Sequence, residues 1–330
     1  MTLRRRFLSA ASLSAIAVAA NVRPSFAQAN YPSRPIRWVV PFPPGSPVDA
    51  VARRLGEAVS KELGVPVVVD NKPGAVGSIG ANEVARAAPD GYTFMATIGD
   101  PLVAVLALLK NVPYDPRKDF TFVSKVSANG PVLVAHPSFK PDNLAALLAD
   151  GKARGTVYSY GSWGPGSLPV QVMESMAQQA GVKFREIPYR GSPPAMQDVM
   201  GGQIDMTITA PHVAASLAAA GKLKVLAAMG EQRSPLLPNV QTFAEAGFSS
   251  FVFTNGIWVG LVGPAGMDAA IRDRNARAVR NVVQTPEMRK FFEENGFRVV
   301  GSSPADFERQ FRAEVAVVPP LIHALGVVPQ

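Results

Sequence analysis

The sequence predicts an α/β protein of two lobes, each built on a mostly parallel, doubly wound sheet. Three observations lead there. From Ile36 onward, short apolar runs alternate with stretches of helical spacing, which is the βαβα rhythm of parallel sheets. Two Pro/Gly/Ser corners, over 41–49 and 161–167, each join an apolar run to a helical pattern. With 330 residues, 47% of them hydrophobic, the chain can bury two cores.

Taken in order, residues 37–42 read as a strand and 48–63 as a helix, with Val51, Leu55, Val59 and Leu63 on one face. A strand over 66–70 precedes a helix over 78–88, which stops before the turn signature Pro89-Asp90-Gly91. A strand over 92–97 and a helix over 101–109 follow, and Pro113-Tyr114-Asp115-Pro116 breaks the rhythm. Next come a strand at 132–135, a helix at 142–149, a strand at 157–160 ending in the second corner, and a helix at 169–180. Ile187-Pro188-Tyr189-Arg190-Gly191 opens another unit, with a helix at 194–200 and a strand at 204–208. A further strand is expected at 225–229, and 257–262 returns the chain to the first lobe. Helices over 267–283, 286–295 and 304–318 close it. No low-complexity segment or short-period repeat interrupts this order.

The first residues are not expected to belong to the fold. Arg4, Arg5 and Arg6 precede an apolar stretch over 7–20 that is too short to span a bilayer. Ser25-Phe26-Ala27 then offers a small-x-small cleavage site before Gln28. Residues 1–27 read as an export signal; Arg4-Arg5-Arg6-Phe7-Leu8 also fits the twin-arginine pattern, and both routes stay open. Removing this segment takes away four arginines and no acids, so the formal charge falls from +8 to +4. No long Lys/Arg run suggests a nucleic-acid partner. There are no cysteines, which excludes disulfides, thiolate catalysis and Cys-based zinc sites. A soluble protein outside the cytoplasm is expected.

The chemistry sits at the corners. A strand that delivers a backbone turn to a helix N-terminus presents free N–H groups, which bind anions without a charged side chain. Ligands of open α/β sheets lie at the carboxyl ends of strands, and clefts between lobes favour them. The candidate ligand residues are Phe42, Pro43, Gly45 and Ser46 at the first corner and Ser162, Trp163, Gly164 and Ser167 at the second, with Asp100, Tyr189, Gly191 and, near a strand start, Asp205. Several have structural readings too. Ser46 suits an N-cap with Pro47 at N1, and Asp49 suits the helix dipole. Asp100-Pro101 fits the same capping pattern, while Tyr189 could pack beneath the cleft and Asp205 could order a loop. His136, His212 and His323 are far apart and at no metal-ligand spacing, so no metal or cofactor is expected.

Short motifs in a fixed order carry a family likeness. They include Tyr31-Pro32-Ser33-Arg34-Pro35-Ile36, Pro41-Phe42-x-Pro44-Gly45 with Asp49, Asn71-Lys72-Pro73-Gly74-Ala75, Ala88-Pro89-Asp90-Gly91-Tyr92 and Pro113-Tyr114-Asp115-Pro116. Further on come Pro188-Tyr189-Arg190-Gly191, Gly201-Gly202-Gln203-Ile204-Asp205, Arg233-Ser234-Pro235 and Glu245-Ala246-Gly247. Through them the chain resembles the substrate-binding proteins of tripartite tricarboxylate transporters, the Bug family of periplasmic receptors. The resemblance implies a Venus-flytrap fold crossed twice by the chain, with lobes over 28–128 plus 253–330 and over 129–252. It implies a small carboxylate as ligand, held by backbone N–H groups at both corners, and a membrane permease as partner. A monomer is expected. Departures from the family pattern bear on the ligand. The family's first corner usually reads Pro-Phe-Ala-Pro-Gly-Gly-Ser-Thr-Asp, whereas this chain has Ser46, Pro47 and Val48 before Asp49. Asp100-Pro101-Leu102 stands where the family often has Ser-Thr-His, Trp163 replaces a small polar residue, and Val170 replaces a common histidine. A monocarboxylate, aromatic acid or amine-bearing acid fits these changes better than a tricarboxylate.

Two other readings share the pattern. An exported α/β hydrolase needs a nucleophile elbow, and GxSxG is absent. Gly74-x-x-Gly77-x-x-Gly80 has the wrong spacing for a dinucleotide loop, and no Walker A sequence occurs. A receptor that signals to a sensor kinase would share the fold and the cleft.

Overall fold

A computed structural model describes residues 31–329; the expected export signal lies outside them. The chain begins with β1 (Ile36–Val40), α1 (Pro47–Leu63), β2 (Val67–Asn71), α2 (Ser78–Ala85), β3 (Thr93–Thr97), α3 (Val105–Leu108) and β4 (Phe120–Asn129). It continues through β5 (Val132–Ala135), α4 (Leu144–Arg154), β6 (Tyr158–Ser162), α5 (Leu168–Ala180), β7 (Phe184–Pro188), α6 (Ser192–Met200), β8 (Met206–Thr209), α7 (Pro211–Ala219) and β9 (Lys224–Ala228). It ends with α8 (Phe251–Thr254), β10 (Ile257–Pro264), α9 (Ala269–Val283), α10 (Pro286–Glu294), β11 (Arg298–Val299) and α11 (Pro304–Ala324).

Two sheets result, ordered β11-β4-β10-β3-β1-β2 and β7-β6-β8-β5-β9. Both are mixed. The βαβα halves are parallel, β1 with β2 and β3, and β6 with β7 and β8. The strands next to the crossovers run the other way: β10 is antiparallel to β3 and β4, and β5 to β8 and β9. A buried apolar strand reads alike in either direction, so hydropathy alone does not show this reversal. Strand β4 has no counterpart among the sequence-predicted elements. Its polar centre hides it: Ser124, Lys125 and Ser127 are all buried. Ser302 compensates in part, since Ser124 Oγ donates to Ser302 O and Lys125 N–H donates to Ser302 Oγ, both at 2.9 Å.

Alternation along β1 divides the first sheet's core. Trp38 and Val40 pack with Val51 and Leu55 of α1 and Val279 of α9, while Val39 packs on the other face with Phe307 and Phe311 of α11. The second sheet is sandwiched likewise, with Tyr160 and Met173 on one face and Val132 and Val199 on the other. The chain crosses between sheets beside Gly130 and Gly256. A Cβ on Gly256 would fall 1.7 Å from Asn129 O, and one on Gly130 would fall 1.9 Å from Met229 O. Only glycine permits this backbone-on-backbone crossing. Helix α11 is a third link: Ile322 lies in the first sheet's core, whereas Leu321 and Leu325 pack against the second sheet's core.

Candidate functional site

The first corner closes on itself. Ser46 caps α1, its Oγ accepting from Asp49 N–H at 3.4 Å, with Pro47 in the first turn. Asp49, only 3% exposed, turns its carboxylate back toward the corner. Its Oδ2 accepts from Gly45 N–H at 2.8 Å and from Arg53 Nε at 3.0 Å, and its Oδ1 from Asn71 Nδ2 at 2.9 Å. Desolvation raises the Asp49 pKa, but the hydrogen bonds from Arg53, Gly45 N–H and Asn71 outweigh it and hold the group below its ordinary value. Ser46 N–H is engaged as well, donating to Pro43 O at 3.2 Å. The donors expected to meet an anion are thus met by the protein itself, and Phe42, Pro43, Gly45 and Ser46 do not line the cavity described below.

Other candidates are also engaged internally. Ser162 is fully buried and donates through Oγ to Glu186 while accepting from Gly164 N–H. Tyr189 donates its hydroxyl to Asp198 Oδ2 at 2.6 Å. Asp205 Oδ2 accepts from Ser159 N–H and Ser159 Oγ, both at 2.7 Å, joining β6 to the start of β8. Gly191, with φ at 108°, starts α6. Ser162, Tyr189, Gly191 and Asp205 lie away from the cavity wall.

Asp100, Trp163, Gly164 and Ser167 do come together. They line one cavity of about 420 Å³ between the two sheets, beside the second crossover, a volume suited to a small organic molecule. One wall is the second corner. There Ser167 Oγ accepts from Trp163 N–H at 3.2 Å, and the buried Gln171 amide donates to Gly166 O at 2.8 Å, fixing the turn. Gly166 and Leu168 line the cavity, and among the described residues their N–H groups meet no acceptor. They lie at the start of α5, whose dipole adds positive potential. Leu108, Val103 and Val318 give the cavity an apolar flank.

The opposite wall carries two acids. The sequence suggests a helix over 101–109; the structure has turns there and a short α3. Pro101 is wedged, its carbonyl accepting from Tyr114 OH at 2.6 Å and its ring lying where a Cβ on Gly77 would stand. This holds Asp100 at the cavity. Its carboxylate caps nothing and meets no hydrogen-bond donor among the described residues, so the capping reading does not hold. Its surface is exposed and opens onto the cavity, and desolvation by the surrounding walls pushes its pKa up to about 6. Glu314, from α11, is 8% exposed. Its Oε2 accepts from Trp258 Nε1 at 2.8 Å, and its Oε1 lies close to Gly99. Burial raises its pKa to about 7, partly offset by Trp258 and by Lys125, while Asp100 adds repulsion. Lys125 is itself buried behind this wall, and desolvation lowers its pKa to about 8. Glu314 is absent from the sequence-stated candidates although its signal is visible. It occupies a position of the apolar stripe Phe307, Phe311, Glu314, Val318, where an acid has no core role.

Two sheets, two adjoining crossovers and one cavity between them define the class of two-lobed solute-binding proteins. Residues 51–327 match the family model described as the tripartite tricarboxylate transporter family receptor, and the chain belongs to that family. It is similar to protein BugT of Bordetella pertussis, with 35% identity over 285 residues covering 86% of each chain. Among solved structures it resembles the periplasmic binding protein BugD, with TM-score 0.73 and 31% identity over 91% of this chain and 100% of that one. It also resembles R. palustris Rpa4515 with adipate, with TM-score 0.76 and 28% identity over 91% and 100% of the two chains. The family is one of periplasmic solute receptors rather than enzymes. Among the described residues no helix is long and apolar enough to cross a membrane, and no group of three or more His, Asp or Glu could hold a metal ion.

Proposed function

We propose that this chain is an exported receptor that captures one small organic acid between its lobes and delivers it to the membrane subunits of a tripartite-type transporter. Residues 1–27 act as the export signal, lobe one comprises 28–128 with 253–330, and lobe two comprises 129–252. The observation that carries this reading is the 420 Å³ cavity at the junction of the sheets, with the N-terminus of α5 opening into it. The ligand's carboxylate meets the N–H groups of Gly166 and Leu168, and Trp163, Gly164 and Ser167 wall it in. Hydrogen bonds to a charged group contribute about 1.5–3 kcal/mol each, and a few of them outweigh the ordering of a small ligand. The adipate-bound relative supports an acid as the ligand class.

Thermal unfolding of the mature protein against a panel of mono- and dicarboxylates, amino acids and aromatic acids tests this. A true ligand at a hundredfold excess over its Kd adds about 2.7 kcal/mol, which reads as a rise of several degrees in Tm. A panel in which no acid raises Tm, and native mass spectrometry showing no co-purified acid, would overturn the reading.

A further inference from the structure

The cavity has two chemically opposite ends. At the second corner stand donors: the N–H groups of Gly166 and Leu168 and the positive end of α5. At the other end stand acceptors: Asp100 and Glu314, with Asp100 adding repulsion at Glu314. No Lys, Arg or His is among the described residues that line the cavity. The nearby base, Lys125, is buried outside the lining and acts on Glu314, which Trp258 also holds. Asp100 alone is left with neither a donor nor a counter-charge.

Resting on the receptor reading above, we propose that Asp100 selects a ligand bearing an ammonium group as well as a carboxylate, so that this receptor takes zwitterionic amino acids and rejects dicarboxylates. The charges then balance. The carboxylate lies on the helix N-terminus and the ammonium group on Asp100, with Lys125 compensating Glu314. The apolar flank of Val103, Leu108 and Val318 covers the carbon chain between them. A dicarboxylate would place a second negative group against the uncompensated Asp100, where like charges repel.

Matched pairs of equal length test this: succinate with 4-aminobutanoate, and adipate with 6-aminohexanoate, extended to the α-amino acids. Thermal shift and calorimetry at pH 7.5 would be run on wild type and on Asp100→Asn. That variant breaks no hydrogen bond of the folded protein. We expect at least one amino acid to bind about tenfold or more tightly than its matched diacid, the size of one charge-assisted hydrogen bond. Asp100→Asn should abolish the difference by weakening the amino acid and improving the diacid. Diacids that bind wild type as tightly as amino acids would overturn the proposal, as would a preference that survives Asp100→Asn, or no binding of any amino acid. If simple carboxylates bind while amino acids do not, the receptor reading stands and this inference falls. If no acid binds, both fall.

Discussion

The first and second corners look like one device used twice, yet they have different fates. Each joins a strand to a helix, with Ser46 and Ser167 at the N-cap positions and a proline in the first turn. They differ three residues past the cap. The first corner has Asp49 there and the second has Val170. A carboxylate at this position reaches back to the turn in the manner of a capping box, and Asp49 does so, closing Gly45 N–H from within. Val170 cannot, and it packs into the second sheet's core. An anion-binding turn is therefore available to a ligand only where the chain's own acid does not reach it. The first corner is a fastening for the lobe; the second is a wall of the cavity.

The largest expected effect comes from removing that fastening. Asp49→Ala leaves Gly45 N–H, Asn71 and Arg53 without their common acceptor around a buried site. A loss of about 2 kcal/mol is expected, the cost of leaving partly buried donors unmet, while affinity for the cavity's ligand changes little. Urea unfolding and calorimetry on one preparation separate the two quantities. A fall in affinity without a fall in stability would reverse the roles assigned to the corners.

Proline substitutions sharpen the contrast at smaller magnitude, because proline deletes a single N–H. Leu168→Pro, compared with Leu168→Ala, removes a donor at the cavity from the first helical position, where proline is tolerated. Affinity should fall about tenfold, the worth of one charged hydrogen bond, with stability matching the alanine control. Ser46→Pro removes the cap hydroxyl and the bond to Pro43 O. It should reduce stability by about 1 kcal/mol and leave affinity unchanged. Equal affinity losses at both positions would mean that both corners grip the ligand.

Much of this was legible in the sequence, and the exceptions have physical causes. The strand–helix rhythm and the caps of α1 are local signals, and they hold. Strand β4 escapes because Ser124, Lys125 and Ser127 interrupt its apolar pattern, and their partners, such as Ser302, lie far along the chain. Residues 101–104 have helical spacing but stay in turns because Tyr114 and Gly77 hold Pro101. The donors of the first corner are visible, whereas their closure by Asp49 depends on Asn71 and Arg53 fixing the carboxylate. Glu314 reads as an acid in an apolar stripe, but only the packing of α11 beside β10 brings it to Asp100.

The smallest expected effect sets the acid of the corner against the acid of the cavity, since their pKa values move in opposite directions. Asp49 is depressed, so its contribution to stability is present above its unfolded value and is lost as pH falls through the folded one. Asp100 is raised from 3.8 to about 6. The folded state keeps its proton longer than the unfolded chain does, so stability is undiminished below 3.8 and declines as pH rises through about 6. Because the Asp100 surface opens onto the cavity, screening holds this decline to less than about 1 kcal/mol. Urea midpoints of the ligand-free protein at pH 4, 5, 6 and 7 should therefore decline less steeply in Asp100→Asn than in wild type. The two curves should part between about pH 4 and 6 and run parallel above that. Curves that stay parallel would mean that Asp100 meets a counter-charge or water in the empty cavity, and the two corners would then differ in hydrogen bonding alone.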